Sequence, residues 1–241
     1  MNPPSADRVA PVPAPAAPSP EPRQRWRISY ARHAPATPET TGREYAATWE
    51  TTLTRSGLPL VEAGPGRPKL VFGAPLPAGI AGRRELLDVW LTQLRTAWQV
   101  REALGPVLPE GHEIVDLENV WLGAPALPGR VTGADYRVSI GGDIAAEALE
   151  AAAERLVAAK RLPRERAKGS GVKSYDLRPL LGGIAVVGRS PLVVRIRTLS
   201  VPEIGSGRPD EVLAALGEAA GVTLDPREIV RERLVLVDDS P

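Results

Sequence analysis

Hydrophobic and polar positions change period along the chain in an order that predicts two mixed α+β units. In Arg25-Trp26-Arg27-Ile28-Ser29-Tyr30 strict alternation sets Trp26, Ile28 and Tyr30 on one face of a strand and Arg25, Arg27 and Ser29 on the other. The period then lengthens: Tyr45, Trp49 and Leu53 recur at helical spacing over 42–56, and Gly57 supplies the stop. Short strands are predicted near 58–61, 70–73 and 86–91. A helix over 94–104 would present Leu94, Trp98, Arg101 and Leu104 along one stripe, and a strand over 113–122 would close the unit.

That order, strand–helix–strand–strand–helix–strand, is the ferredoxin-like layout, in which two helices cover one face of an antiparallel sheet. After Gly123-Ala124-Pro125-Ala126-Leu127-Pro128-Gly129 the pattern begins again. Tyr136, Val138 and Ile140 alternate on a strand. An Ala-rich helix over 144–160 buries Ala145, Leu149, Ala152, Leu156 and Ala159. Strands near 164–167 and 172–177 flank the turn Lys168-Gly169-Ser170-Gly171. Further strands near 184–187 and 192–199, a helix opening at Pro209 and a strand over 229–237 complete the second half. The fold expected is α+β: two tandem ferredoxin-like (βαββαβ) domains at 25–122 and 134–241, the second elaborated, joined by a linker at 123–133.

Residues 1–24 are dominated by Pro and Ala and have too little apolar bulk to offset the entropy of ordering. A disordered or polyproline-II tail is expected there, either a solvated extension or a segment for a polyproline reader.

Composition narrows the chemistry. The chain of 241 residues has no cysteine, which excludes disulfides, thiolate catalysis and Cys-ligated iron–sulfur clusters. It has two histidines, His33 and His112, without a neighbouring Asp, Glu or Cys set at metal-ligand spacing, so no metal and no cofactor is expected. Asp88 and Asp176 are placed for ion pairs with nearby arginines. No apolar run approaches a membrane span of about 20 residues, and the start lacks the basic and apolar parts of a signal peptide, so a cytoplasmic protein is expected.

A formal net charge of +1 does not announce a nucleic-acid binder, but the cations are concentrated locally and 26 of the 30 are arginines, a bias that coding composition alone would also give. Arg67 and Lys69 flank Pro68 beside flexible glycines, where two cations and backbone amides can converge on phosphate or carboxylate; a proline-stiffened solvated loop is the plainer alternative. Arg164, Arg166, Lys168 and Lys173 surround the hairpin turn and could track a nucleic-acid backbone, or simply keep an exposed hairpin soluble. Arg178, which follows that hairpin, is a further candidate for phosphate contact. Arg208 lies in Gly205-Ser206-Gly207-Arg208-Pro209-Asp210 before a helix, which suits an anion at the helix N-terminus or plain capping; it lacks the Gly-Lys-Ser/Thr ending of a P-loop. The aromatic signature of an RNA-recognition sheet is missing, with only one Phe in the chain, so shape and arginine contacts would have to supply RNA affinity. Arg195 and Arg197 share a strand face that could extend such a surface.

Several segments taken in order resemble the bacterial radical SAM-linked (radical SAM-associated) protein family. They are Ser56-Gly57-Leu58-Pro59-Leu60, Gly66-Arg67-Pro68-Lys69-Leu70, Phe72, Ala74-Pro75-Leu76-Pro77-Ala78-Gly79 and Glu85-Leu86-Leu87-Asp88-Val89. The 164–173 hairpin, Tyr175-Asp176-Leu177-Arg178-Pro179-Leu180 and Gly205-Ser206-Gly207-Arg208-Pro209-Asp210-Glu211-Val212-Leu213 follow. The resemblance covers about residues 25–237. It implies a partner encoded beside or fused to a radical SAM protein, often near genes of RNA processing and translation. Where that family opens its first helix with Leu-Ser-His-Leu-Asp-Leu, this chain has Thr40-Thr41-Gly42-Arg43-Glu44-Tyr45, and its Gly64-Pro65-Gly66-Arg67-Pro68 replaces a longer Gly-Phe-Asn-Pro loop.

The function expected is a non-catalytic accessory protein of a radical SAM protein that binds structured RNA such as tRNA. Two alternatives stand beside it: a protein–protein scaffold for that partner without nucleic acid, and a metal-independent enzyme acting on RNA.

Overall fold

The computed structural model describes residues 21–33, 42–77, 79–168 and 171–239, with side chains omitted at 166–168 and 171–173. The Pro- and Ala-rich segment 1–20 and the hairpin tip at Gly169 and Ser170 lie outside the described residues, and with them the expectation of a disordered tail.

In the first half β1 (Gln24–Arg32) leads to α1 (Gly42–Arg55), a small hairpin β2 (Glu62–Gly64) and β3 (Arg67–Pro68), then β4 (Leu70–Phe72), β5 (Ala81–Leu91), α2 (Ala97–Leu104) and β6 (His112–Val120). The second half contains α3 (Leu127–Arg130), β7 (Val131–Gly141), α4 (Ala146–Ala158), the hairpin β8 (Pro163–Lys168) and β9 (Gly171–Asp176), β10 (Leu181–Arg189), β11 (Leu192–Val201), β12 (Gly205–Ser206), α5 (Pro209–Ala220) and β13 (Asp225–Leu236). Among the described residues no helix is long and apolar enough to cross a membrane.

One mixed sheet runs through both halves in the order β10-β11-β7-β13-β5-β1-β6, with β12 added to β11 and β4 to β5. Within it β6-β1-β5-β4 and β13-β7-β11-β10 repeat a single arrangement, every pair antiparallel. The halves meet where β13 pairs in parallel with β5 through Val230 opposite Ala81 and Arg231 opposite Gly82. The architecture is therefore α+β, a large mixed sheet with five α-helices among the described residues.

Two apolar clusters fill the helix-covered face. The β1 alternation buries Trp26, Ile28 and Tyr30 against Trp49 and Leu53 of α1 and Val100 and Leu104 of α2. In the second half Tyr136, Val138 and Ile140 meet Leu149, Ala152 and Leu156 of α4 and Val212, Leu213 and Leu216 of α5. Removing that apolar surface from water, at about 25 cal/mol per Å², is the main force holding the helices on the sheet.

Several local expectations are corrected. The segment 94–96 is not helical: Thr96 caps α2 through a reciprocal capping box with Gln99, so the helix starts at Ala97. Leu94 and Trp98 consequently lie in solvent rather than on the buried stripe. At 58–61 there is a single bridge from Leu60 to Leu91, because the ladder on that edge of β5 is taken by β4. In α4 the buried stripe begins at Ala146, and its helix stops before Ala159.

Candidate functional site

The uncovered face of the second half carries a cluster of arginines. Because Tyr136, Val138 and Ile140 point to the helices, Asp135, Arg137 and Ser139 point the other way. Arg195 of β11 stands opposite Arg137, and Arg197 opposite Asp135. Arg233 of β13 reaches the same carboxylate from the other side. Arg197 grips Asp135 with a fork, Nε to Oδ1 at 2.7 Å and Nη2 to Oδ2 at 2.8 Å, and Arg233 Nε donates to Oδ2 at 3.0 Å. Burial pushes the Asp135 carboxyl up, but hydrogen bonds and charge from Arg197 and Arg233 outweigh it and hold the group below its ordinary value. Arg137 and Arg195 are exposed and have no carboxylate partner among the described residues. Glu228, across from Ser139, adds a second acid to this face. Four guanidiniums thus stand against two carboxylates.

The same face continues into the first half, where it is closed over. Asp88 is fully buried and accepts from Arg25 Nη2 at 2.5 Å and Arg27 Nε at 2.9 Å. Arg25 also donates to the carbonyls of Ala124 and Pro125, which straps the 123–126 segment across the sheet. Trp90 lies between Arg25 and Lys69, 5.0 and 4.6 Å from its ring centroid. Asp88, flagged from sequence as an ion-pair residue, is used in that way.

On the helix side, a cleft of about 930 Å³ opens at the seam. It brings together two segments singled out in the sequence, the loop through Pro75 and Pro77 and the Gly205–Asp210 run, which are about 130 residues apart in the chain. Its floor holds Arg231, which forms a buried ion pair with Glu85 and donates to the carbonyls of Pro75 at 2.9 Å and Ala74 at 3.0 Å. Arg231 also touches the Tyr136 hydroxyl, so its donors are committed to holding the loop on the sheet. Arg208 lines the mouth, exposed and without a side-chain partner among the described residues.

The residues proposed from sequence are not gathered in one place. Arg67 lies on α1 through an ion pair with Glu50 at 2.8 Å. Lys69 belongs to the uncovered face beside Trp90, and Arg208 to the cleft. Arg164 docks the β8–β9 hairpin on α5 through Glu218 at 2.6 Å. Arg178 is structural: its Nε donates to Ala159 O at 3.1 Å and its Nη1 to Leu181 O at 2.9 Å. Asp176 accepts from the Leu162 and Arg178 amides at 2.7 and 3.0 Å, fixing the hairpin base. Arg166 and Lys173 are cross-strand partners, as the turn predicted, but their side chains and that of Lys168 lie outside the described atoms.

His112 sits among Tyr30, Tyr45 and Trp49. Its Nδ1 is 3.0 Å from Glu110 O and its Nε2 3.0 Å from the Tyr45 hydroxyl. Burial first, and then the Arg32 charge, push its pKa below the ordinary histidine value despite the opposing pull of the Glu110 carbonyl. Sequence inspection passed over Arg137 and Arg233; the signal for Arg137 was its place between the inward-facing Tyr136 and Val138.

These features define a two-half α+β protein with an arginine-lined open sheet face and a central cleft on the other side. The chain belongs to the DUF2344 family, described as an uncharacterized protein conserved in bacteria, whose profile matches residues 25–209. No curated protein matches it in sequence. Among solved structures it is similar to a chain of a Cbf5-Nop10-Gar1 complex, at 12% identity and TM-score 0.48. It is also similar to a chain of the archaeal box H/ACA sRNP Nop10-Cbf5 complex, at 14% identity and TM-score 0.44. In both cases 87% of this chain is covered, and it spans about half of the other, 48%.

Proposed function

We propose that the protein is a non-catalytic, cytoplasmic RNA-binding module built from two tandem ferredoxin-like units, residues 25–122 and 134–241, and that structured RNA such as tRNA lies on the uncovered sheet face. One observation carries this reading: Arg137 and Arg195 face each other on adjacent strands, exposed and without carboxylates of their own. Phosphates spaced along a backbone are the complement of such a surface, since each neutralised phosphate releases counterions. Lys69 and Arg208, and the hairpin cations Arg166, Lys168 and Lys173, would add contacts at the periphery. Arg67 and Arg164 already pair with Glu50 and Glu218, and Arg178 with backbone carbonyls, so we assign these three a smaller share of the phosphate contacts. A radical SAM protein as partner rests on the sequence resemblance.

The test is tRNA binding across a salt series. Wild type is expected to bind with a steep negative salt slope. Removing Arg137 and Arg195 together should lower that slope by about two, roughly one for each phosphate left unneutralised. Full retention of affinity and slope in the double variant would refute the face assignment. No binding of wild type at low salt would sink the RNA reading and leave the scaffold, tested by co-purification of a radical SAM protein after nuclease treatment.

A further inference from the structure

The β8–β9 hairpin and α5 form the walls of a cavity of about 600 Å³ that shares no residue with the seam cleft. α5 buries Val212, Leu213 and Leu216 against the sheet, which leaves Glu211, Ala214 and Glu218, at spacing i, i+3 and i+7, along the side that meets the hairpin. On β8 Arg164 stands opposite Tyr175 of β9, and its Nη1 donates to Glu218 Oε2 at 2.6 Å. That ion pair ties the two walls together, and the Asp176 carboxylate fixes the hairpin base.

Two charged atoms of these walls are left over. Arg164 Nη2 and Glu211 Oε2 are shielded from solvent, and neither has a hydrogen-bond partner among the described residues. Buried polar atoms are almost always paired, because an unmade bond costs the full desolvation of the group, most of all for a charged one. A donor on the hairpin wall and an acceptor on the helix wall call for a group that presents an acceptor and a donor along one edge.

The rest of the lining restricts that group. Glu165, Glu211 and Glu218 set three carboxylates against the guanidinium of Arg164, so among the described residues the cavity is net negative and repels phosphate. The half-buried Tyr175 adds an aromatic side chain to the wall, which suits a flat partner. A volume of about 600 Å³ holds far more than one water and lies within the range of small-molecule sites.

We propose that this cavity is a nucleobase pocket that takes guanine. The N1–H and N2–H of guanine donate to a carboxylate and its O6 accepts from a guanidinium, so Glu211 accepts and Arg164 Nη2 donates, while the sugar and any phosphate stay outside the acidic lining. The base belongs either to a free nucleoside or to an unpaired guanine of an RNA, and the site stands whether or not RNA lies on the uncovered sheet face.

The test titrates the full-length protein with guanosine and with uridine by calorimetry, beside the variants Glu211→Gln and Ala214→Leu. Guanosine is expected to bind, and uridine, whose edge offers one donor between two acceptors, to bind about tenfold more weakly. Glu211→Gln keeps the shape and replaces a carboxylate oxygen by an amide, and should weaken guanosine about tenfold to a hundredfold. Ala214→Leu, at an exposed helix position, should fill the space without touching either charge, and thermal unfolding of both variants checks the fold. A single-stranded oligonucleotide carrying one guanine in a uridine tract separates the sources: tighter binding than guanosine identifies an RNA base, weaker binding a free nucleoside. No guanosine binding at millimolar concentration would overturn the proposal and leave the two atoms to water. Equal binding of the two nucleosides, or guanosine binding unchanged in both variants, would overturn it as well.

Discussion

Arg137 and Arg195 are direct cross-strand partners of like charge on an exposed sheet face. Such a pair costs the fold roughly 0.2–1 kcal/mol relative to a neutral pair, so its presence opposes stability and invites an anion. Arg195→Glu converts it to an attractive pair. The variant is expected to gain roughly 0.2–1 kcal/mol in urea unfolding while losing tRNA affinity at low salt. A variant that is less stable and binds tRNA unchanged would contradict both halves of the argument.

Glu85 and Arg231, 146 residues apart, form a buried pair that also holds the carbonyls of Ala74 and Pro75. Arg231→Leu strands a buried carboxylate and releases the loop, and about 3–5 kcal/mol of unfolding free energy is expected to be lost. Replacing Glu85 by Leu as well removes the stranded charge. The double variant should therefore be less destabilised than the two single losses summed, with a coupling of roughly 0.5–3 kcal/mol in a double-mutant cycle followed by urea denaturation.

Gly207 forms part of the cleft wall, and a Cβ placed there would stand 2.5 Å from the Leu180 carbonyl oxygen. Backbone cannot yield as a flexible side chain does. Gly207→Ala is expected to cost about 1–3 kcal/mol through strain. Thermal unfolding would read the loss, and an unchanged midpoint would mean that the β12 turn can move away from Leu180.

The elements with strict periodicity were legible in the sequence because one physical requirement wrote them. Trp26, Ile28 and Tyr30 alternate to face the helices, and Tyr136, Val138 and Ile140 do the same in the second half. Leu94 and Trp98 misled because a capping box at Thr96 restarted the helical phase, a local hydrogen-bond event that overrides an apolar spacing. The parallel seam between β13 and β5 leaves no local signal, since it depends on pairing across about 150 residues. Of the site, Arg195 and Arg197 were visible on an alternating strand. Their relation to Arg137, Asp135 and Arg233 required the register of three strands. Arg178 was a phosphate-contact candidate in sequence, and its guanidinium donates to the backbone carbonyls of Ala159 and Leu181.

His112 supplies a pH dependence of stability with a defined sign. Its Nδ1 faces a carbonyl, which can only accept, so in the neutral ring Nδ1 carries the proton and Nε2 is bare toward the Tyr45 hydroxyl. Burial and the Arg32 guanidinium, itself stacked 4.7 Å from the Tyr45 ring, disfavour a second proton in the folded state. The folded pKa is thus depressed below the value of 6.5 expected in the unfolded chain. Between the two values the unfolded state binds more protons, so the contribution to stability is fully present above pH 6.5 and is lost as pH falls toward the folded pKa. Urea unfolding at successive pH values is expected to show a decline on acidification from pH 6.5, and His112→Gln should flatten it in that window. Asp135, depressed in the same sense, acts lower: its contribution persists above its ordinary value of 3.8 and fails only below it, so the two groups separate along the pH axis. An undiminished slope near pH 6 in the His112 variant would mean that another group carries the dependence.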